Sequence, residues 1–214
     1  MKNQKVYNLI ILDESGSMES IKTEIISAFN EIVQNIKGLE EKFPGQEHFV
    51  SFVTFNSLGI KTILDRNAVS KLLPISNSVY NPDSMTPLYD AIGVSTNKLE
   101  KDIEGIPGVN VYVTIITDGL ENASKEYSGK AVKQRIDNLK SSGWEFTYIG
   151  TDHDVINTAE SLFINKIICF DKSEVGISRM VDEEHSSRLS FFRKLADEFK
   201  IDDLDNDKKF LKYY

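Results

Sequence analysis

Three short polar runs in this sequence share one chemistry: Asp13-Glu14-Ser15-Gly16-Ser17, Met85-Thr86-Pro87 and Thr117-Asp118-Gly119. Their functional groups are hydroxyl and carboxylate oxygens, with no imidazole and no thiolate among them. An all-oxygen donor set suits a hard cation, Mg²⁺ first, with Mn²⁺ and Ca²⁺ as alternatives. Each run also has an ordinary reading. Asp13-x-Ser15-x-Ser17 reads as a strand end followed by a helix cap, Thr86 as a cap before Pro87, and Asp118-Gly119 as a turn. Only their placement by the rest of the chain can make them one site.

The surrounding elements supply that placement. Val6 to Leu12 is a short apolar run of the kind covered on both faces of a sheet. From Ser17, Ile21, Ile25, Phe29, Ile32, Val33 and Ile36 recur at helical spacing up to Gly38. His48 to Phe55 and Gly59 to Leu64 form a hairpin about Asn56-Ser57-Leu58. Met85 to Glu104 is a helix with Pro87 in its first turn. Val109 to Thr117, the most apolar strand, belongs mid-sheet. Gly129 to Ser142 is helical, Trp144 to Gly150 a strand, Val155 to Phe163 a short helix and Lys166 to Phe170 the last strand. Ser173 to Lys200 is a long helix. The expected fold is α/β and Rossmann-like: a doubly wound, mostly parallel central sheet with helices on both faces and one short antiparallel edge hairpin strand. One domain spans 1–200, and 201–214 form a peripheral acidic and aromatic tail. In such sheets ligands bind outside the carboxyl ends of the strands, where all three polar runs fall.

With this order of strands and helices, the Asp-x-Ser-x-Ser pattern, the distant Thr86 and the later Asp118-Gly119 resemble the von Willebrand factor A domain and its metal-ion-dependent adhesion site. The resemblance covers about Val6 to Lys200, and Met85 to Asp90 together with Thr117-Asp118-Gly119 look like intracellular prokaryotic members. It implies that Ser15, Ser17 and Thr86 offer hydroxyls to the metal, while Asp13 and Asp118 hold it directly or through waters. Three hydroxyls fill half of a six-oxygen shell, so an Asp or Glu of a protein partner can complete it. The family further implies a non-catalytic interaction module within a multi-component system, and a last helix that can shift when the site is filled.

Composition sets the outer bounds. The chain has 214 residues, 40% apolar and 27% charged, which is globular in character. Its 25 basic and 33 acidic residues give a net charge of −8, with no basic stripe, which disfavours nucleic acid. No apolar run is long enough for a membrane span. A single cysteine, Cys169, in an apolar strand, is expected to be inert core, and a reducing cytoplasm is the expected location. Oligomeric state is left open.

Other candidates are weaker. Asp203-x-Asp205-x-Asp207 starts like a calcium loop, but Lys208 stands where Gly is needed and Tyr214 where Glu is needed. His48, His153 and His185 fall in different elements; His153, beside Asp152 and Asp154, reads as a surface loop residue. Phe191, Phe192, Leu195 and Phe199 are expected to dock the last helix. An enzyme reading, a Mg²⁺-dependent phosphohydrolase with Asp13 as nucleophile, calls for a second Asp two residues on, where this chain has Ser15. A third reading is a structural subunit whose metal only stabilises the loops.

Overall fold

The computed structural model describes residues 4–151 and 153–210, with the side chains of residues 153, 154 and 199–210 outside the description. The apolar runs become strands Gln4–Asp13 (β1), Gln46–Asn56 (β2), Gly59–Ala68 (β3), Val109–Thr117 (β4), Trp144–Gly150 (β5) and Lys166–Cys169 (β6). They join in one sheet, ordered β3-β2-β1-β4-β5-β6. All neighbours are parallel except β2 and β3. The helices are Lys22–Lys42 (α1), Leu88–Ile103 (α2), Gly129–Ser141 (α3), His153–Ser161 (α4) and Glu174–Phe210 (α5).

Strand alternation divides the core into two layers. On β1, Ile10 and Leu12 pack with α1 and α5, while Leu9 and Ile11 pack with α2 and α3 on the opposite face. All four are at most 1% exposed, so both faces of β1 are sealed. Each such side chain contributes roughly 1.5–3 kcal/mol by burial, and the two-sided cover is why the run reads as continuously apolar.

Several boundaries differ from expectation for identifiable reasons. Residues Gly16–Ile21 form a 3₁₀ turn before α1, and α1 passes through Gly38 to Lys42. A helical glycine costs only about 1 kcal/mol, and buried Leu39 adds one more packed apolar residue beyond it. Pro87 caps α2 from outside rather than sitting in its first turn. The hairpin strand β3, expected to be short, has ten residues. Helix α5 continues past Lys200 to Phe210. Cys169 is exposed rather than core, because β6 is an edge strand and its terminal residue lacks a covering element. Phe192 and Leu195 are buried as expected and Phe191 packs on Tyr112, whereas Phe199 lies outside the described side chains.

The topology explains where a crevice must form. Chain order runs outward from β1 to β2 and β3, then returns to β4 on the other side of β1. The connections therefore leave β1 and β4 in opposite directions, opening a cleft above their carboxyl ends. Leu12 is paired with Ile116, so Asp13 lies abreast of Thr117, with Asp118 one residue beyond.

Candidate metal centre

Asp13 ends β1 fully buried, and both of its carboxylate oxygens are engaged. Oδ1 accepts the Ser15 backbone N–H at 2.8 Å, and Oδ2 accepts the Thr117 hydroxyl at 2.6 Å. Burial pushes this carboxyl up to about 6, against the downward pull of the Thr117 and Ser15 hydrogen bonds. Ser15 caps the 3₁₀ turn that carries Ser17 back over the strand ends. The two hydroxyls lie 3.2 Å apart, and Ser17 Oγ donates to Asp118 Oδ1 at 2.6 Å.

Thr86 arrives from the other side of the cleft, 3% exposed. Asn122 clasps its backbone twice: the Thr86 N–H donates to Asn122 Oδ1 at 2.8 Å, and the Asn122 N–H donates to the Thr86 carbonyl at 3.1 Å. Gly119 shows how closely the oxygens converge. A Cβ placed on it would lie 3.3 Å from Thr86 Oγ1, 3.8 Å from Ser17 Oγ and 3.9 Å from Asp13 Oδ2. Oxygens from two of the polar runs thus lie around one point on the third, where an added methyl group would press on Thr86 Oγ1. The structure brings Asp13, Ser15, Ser17, Thr86 and Asp118 into a single cluster.

Such a donor set fits a hard cation by its chemistry: three hydroxyls and two carboxylates, all oxygen. Among the described residues, no group of three or more His, Cys, Asp or Glu side chains is arranged to hold a metal; this cluster brings together two carboxylates and three hydroxyls. His48 is buried near the start of β2, His185 lies on α5, and the His153 side chain, like Asp152 and Asp154, falls outside the described residues. The Asp203 to Asp207 run lies within α5.

Several residues that hold this cluster together escape motif reading. Glu14 is fully buried and acts as a bolt. It accepts from the Asn81 N–H at 2.7 Å, the Thr54 hydroxyl at 2.8 Å and the Lys61 ammonium at 3.2 Å, while its carbonyl accepts the Asp83 N–H at 2.9 Å. Ser84, with φ of 69°, takes a left-handed turn whose carbonyl accepts the Gly16 N–H at 3.0 Å. That conformation is uncommon for a non-glycine residue, and it locks the Thr86 loop onto the Ser15-Ser17 loop. Glu121 accepts the Tyr89 N–H at the start of α2 at 2.8 Å. Asp90 accepts three successive backbone N–H groups, from Lys125, Glu126 and Tyr127.

Lys172 is the least expected participant. It follows β6, and its ammonium donates to Asp118 Oδ2 at 2.5 Å and to the Ser17 carbonyl at 3.2 Å. The available signal is positional: Lys172 falls just past a strand's carboxyl end, as the three polar runs do.

A family model described as von Willebrand factor type A domain matches residues 9–193. No curated protein matches the chain. Among solved structures, the pilus adhesin SpaC from Lactobacillus rhamnosus GG aligns over 90% of this chain and 31% of its own, with 15% identity and a TM-score of 0.63. The vWF domain of the type V pili tip protein Mfa5 from Porphyromonas gingivalis aligns over 93% of this chain and 96% of its own, with 10% identity and a TM-score of 0.56. The SpRpn10 VWA domain aligns over 83% and 94%, with 10% identity and a TM-score of 0.55. The chain spans about a third of SpaC and 47% of the mussel byssus protein PTMP1, so it matches one part of those longer proteins. These likenesses concern the fold.

Proposed function

The chain belongs to the von Willebrand factor type A domain family, whose members are mostly protein-interaction modules, and from that premise we propose that it captures an acidic side chain of a protein partner at a divalent cation. The cation is Mg²⁺, with Mn²⁺ or Ca²⁺ able to replace it. Ser15, Ser17 and Thr86 offer the hydroxyls, and Asp13 and Asp118 the carboxylates. One observation carries the reading: Thr86 Oγ1, Ser17 Oγ and Asp13 Oδ2 all lie within 4 Å of the point beside Gly119. A bound divalent ion supplies concentrated positive charge, which lets an acidic chain of net charge −8 attract a carboxylate.

The protein's own residues do the positioning. Asp13 fixes the Ser15 loop through its backbone hydrogen bond, and Asp118 orients the Ser17 hydroxyl. Asn122 and Glu14 hold the Thr86 segment at its working distance. With Thr117 and Ser15 on its two oxygens, Asp13 is a poor nucleophile, which favours binding over phosphoryl transfer. An exposed thiol at Cys169 suits the reducing cytoplasm that we assign to the protein.

The experiment is a calorimetric titration with Mn²⁺, followed by partner capture in Mg²⁺ and in EDTA. Asp13→Ala and Thr86→Ala should each weaken Mn²⁺ binding by tenfold or more and abolish capture while the circular dichroism spectrum is retained. Full capture in EDTA would overturn the proposal.

A further inference from the structure

We propose that Lys172 is a built-in competitor for the cation: its ammonium neutralises Asp118 until a divalent ion displaces it, so that lysine release is part of metal loading. This rests on the metal-binding reading above and adds a control to the same site.

The geometry motivates it. The Asp118 side chain is fully buried, and its two oxygens are shared between Ser17 Oγ and Lys172 Nζ. The same ammonium reaches the carbonyl of Ser17, a second residue of the cluster. One cation of the chain's own thus already sits on two of the residues expected to serve the metal. An ammonium and a divalent ion that share a carboxylate repel each other at contact distance. Lys172 can retreat, because its side chain is 38% exposed and hangs on a flexible four-carbon stem.

Its backbone has little freedom to follow. The Phe170 N–H donates to the Gly150 carbonyl at 3.0 Å, tying the segment to β5. Asp171 Oδ1 accepts the Ser173 N–H at 3.0 Å, and Ser173 Oγ accepts the Gly176 N–H at 3.0 Å, closing the entry to α5. Held on both sides, Lys172 moves by side-chain rotation. Metal affinity is then set by competition with a tethered ammonium whose local concentration is high and constant. The site fills at higher free metal than its oxygens alone would require.

The test compares wild type with Lys172→Met, which keeps the stem and removes the charge, and with Lys172→Gln as a second neutral variant. Mn²⁺ affinity is measured by calorimetry, and thermal unfolding is followed in EDTA and in saturating Mn²⁺. Both neutral variants should bind Mn²⁺ about tenfold more tightly or better, melt lower than wild type in EDTA, and recover in Mn²⁺. Lys172→Arg should keep the wild-type affinity or weaken it. Equal or weaker Mn²⁺ binding by both neutral variants would overturn the competitor role while leaving the metal site standing. If no variant and no wild type binds Mn²⁺, the metal reading falls, and this inference with it.

Discussion

Two polar clusters share the central strands β1 and β4, and they solve opposite problems. One is the crevice at the strand ends, with Asp13, Asp118 and Lys172. The other is a sealed seam beneath α5, where Arg188 and Glu184 are both fully buried. Arg188 donates to Asn8 Oδ1 of β1 at 2.5 Å, to Thr114 Oγ1 of β4 at 2.8 Å and to Glu184 Oε1 at 2.9 Å. Its guanidinium also lies 4.4 Å from the Tyr112 ring centroid. A guanidinium is a fixed fork that can bind several acceptors at once, whereas an ammonium on a long stem is a mobile point charge. The chain places arginine where the cation must stay and lysine where a cation must be able to leave.

The largest expected effect breaks the seam. Arg188→Met leaves the Glu184 carboxylate buried without its cation, which should cost about 3–5 kcal/mol in urea unfolding. Replacing both partners, Glu184→Leu with Arg188→Met, should restore most of that loss, because removing a whole buried pair is often near neutral. The Mn²⁺ affinity of the folded single variant should stay within threefold of wild type. A tenfold change would mean that the two clusters are coupled through β1 and β4.

Protons distinguish the clusters next. His48 borders the seam, stacked edge-on against Phe192, with Nε2 3.3 Å from Gln46 Oε1. Burial first, and the Arg188 charge second, push its pKa down to about 3. The unfolded chain then takes up a proton that the folded one refuses, so stability is lost as pH falls from 6.5 toward 3. Relative to His48→Gln, wild type should lose about 3 kcal/mol between pH 7 and pH 4, at 1.4 kcal/mol per pH unit. Asp13 in the crevice has the opposite sign. Its pKa is raised to about 6 by burial, so the folded state holds a proton that the unfolded state has released. That stabilisation is fully present below pH 3.8 and is lost as pH rises through 6. In EDTA, wild type should gain about 2.4 kcal/mol over Asp13→Asn as pH falls from 7 to 4. The gain should vanish in saturating Mn²⁺, since a cation keeps the carboxylate ionised. An Asp13 signal unchanged by Mn²⁺ would place the ion away from this carboxylate.

A smaller change sharpens the crevice alone. Gly119→Ala puts a methyl group 3.3 Å from Thr86 Oγ1, at the point where the oxygens converge. Mn²⁺ affinity should fall about tenfold, equivalent to 1.4 kcal/mol, with the fold retained. An unaffected affinity would show that the cation sits on the Asp118 side and not beside Gly119.

The same contrast explains what could be read from the sequence. The bounds of β4 and β5 were legible to the residue, because both strands are covered on two faces and carry mostly apolar residues between turn signals such as Asp118-Gly119 and Gly143. The crevice was legible because its oxygens sit at strand ends in short polar runs. The seam was not. Glu184 and Arg188, four apart on a helix, look like an ordinary solvent-facing pair, and their burial depends on how α5 docks. Asn8 inside an apolar strand was the one local hint. Lys172 was hidden for a related reason, since its reach to Asp118 is set by a loop and spans 54 residues.

Cys169 offers the smallest effect and a control that belongs to neither cluster. Buried in a core, a cysteine replaced by serine would leave a hydroxyl without a partner and cost a kilocalorie or more. On the exposed end of β6, Cys169→Ser should change stability by no more than about 0.5 kcal/mol. The native thiol should react readily with a maleimide in the folded protein. Because Cys169 lies three residues before Lys172, its reactivity also reports on that segment. If metal loading moves only the lysine side chain, the labelling rate should be the same in EDTA and in Mn²⁺. A Mn²⁺-dependent rate would mean that the backbone between β6 and α5 moves too, and that the crevice communicates with the helix anchored at the seam.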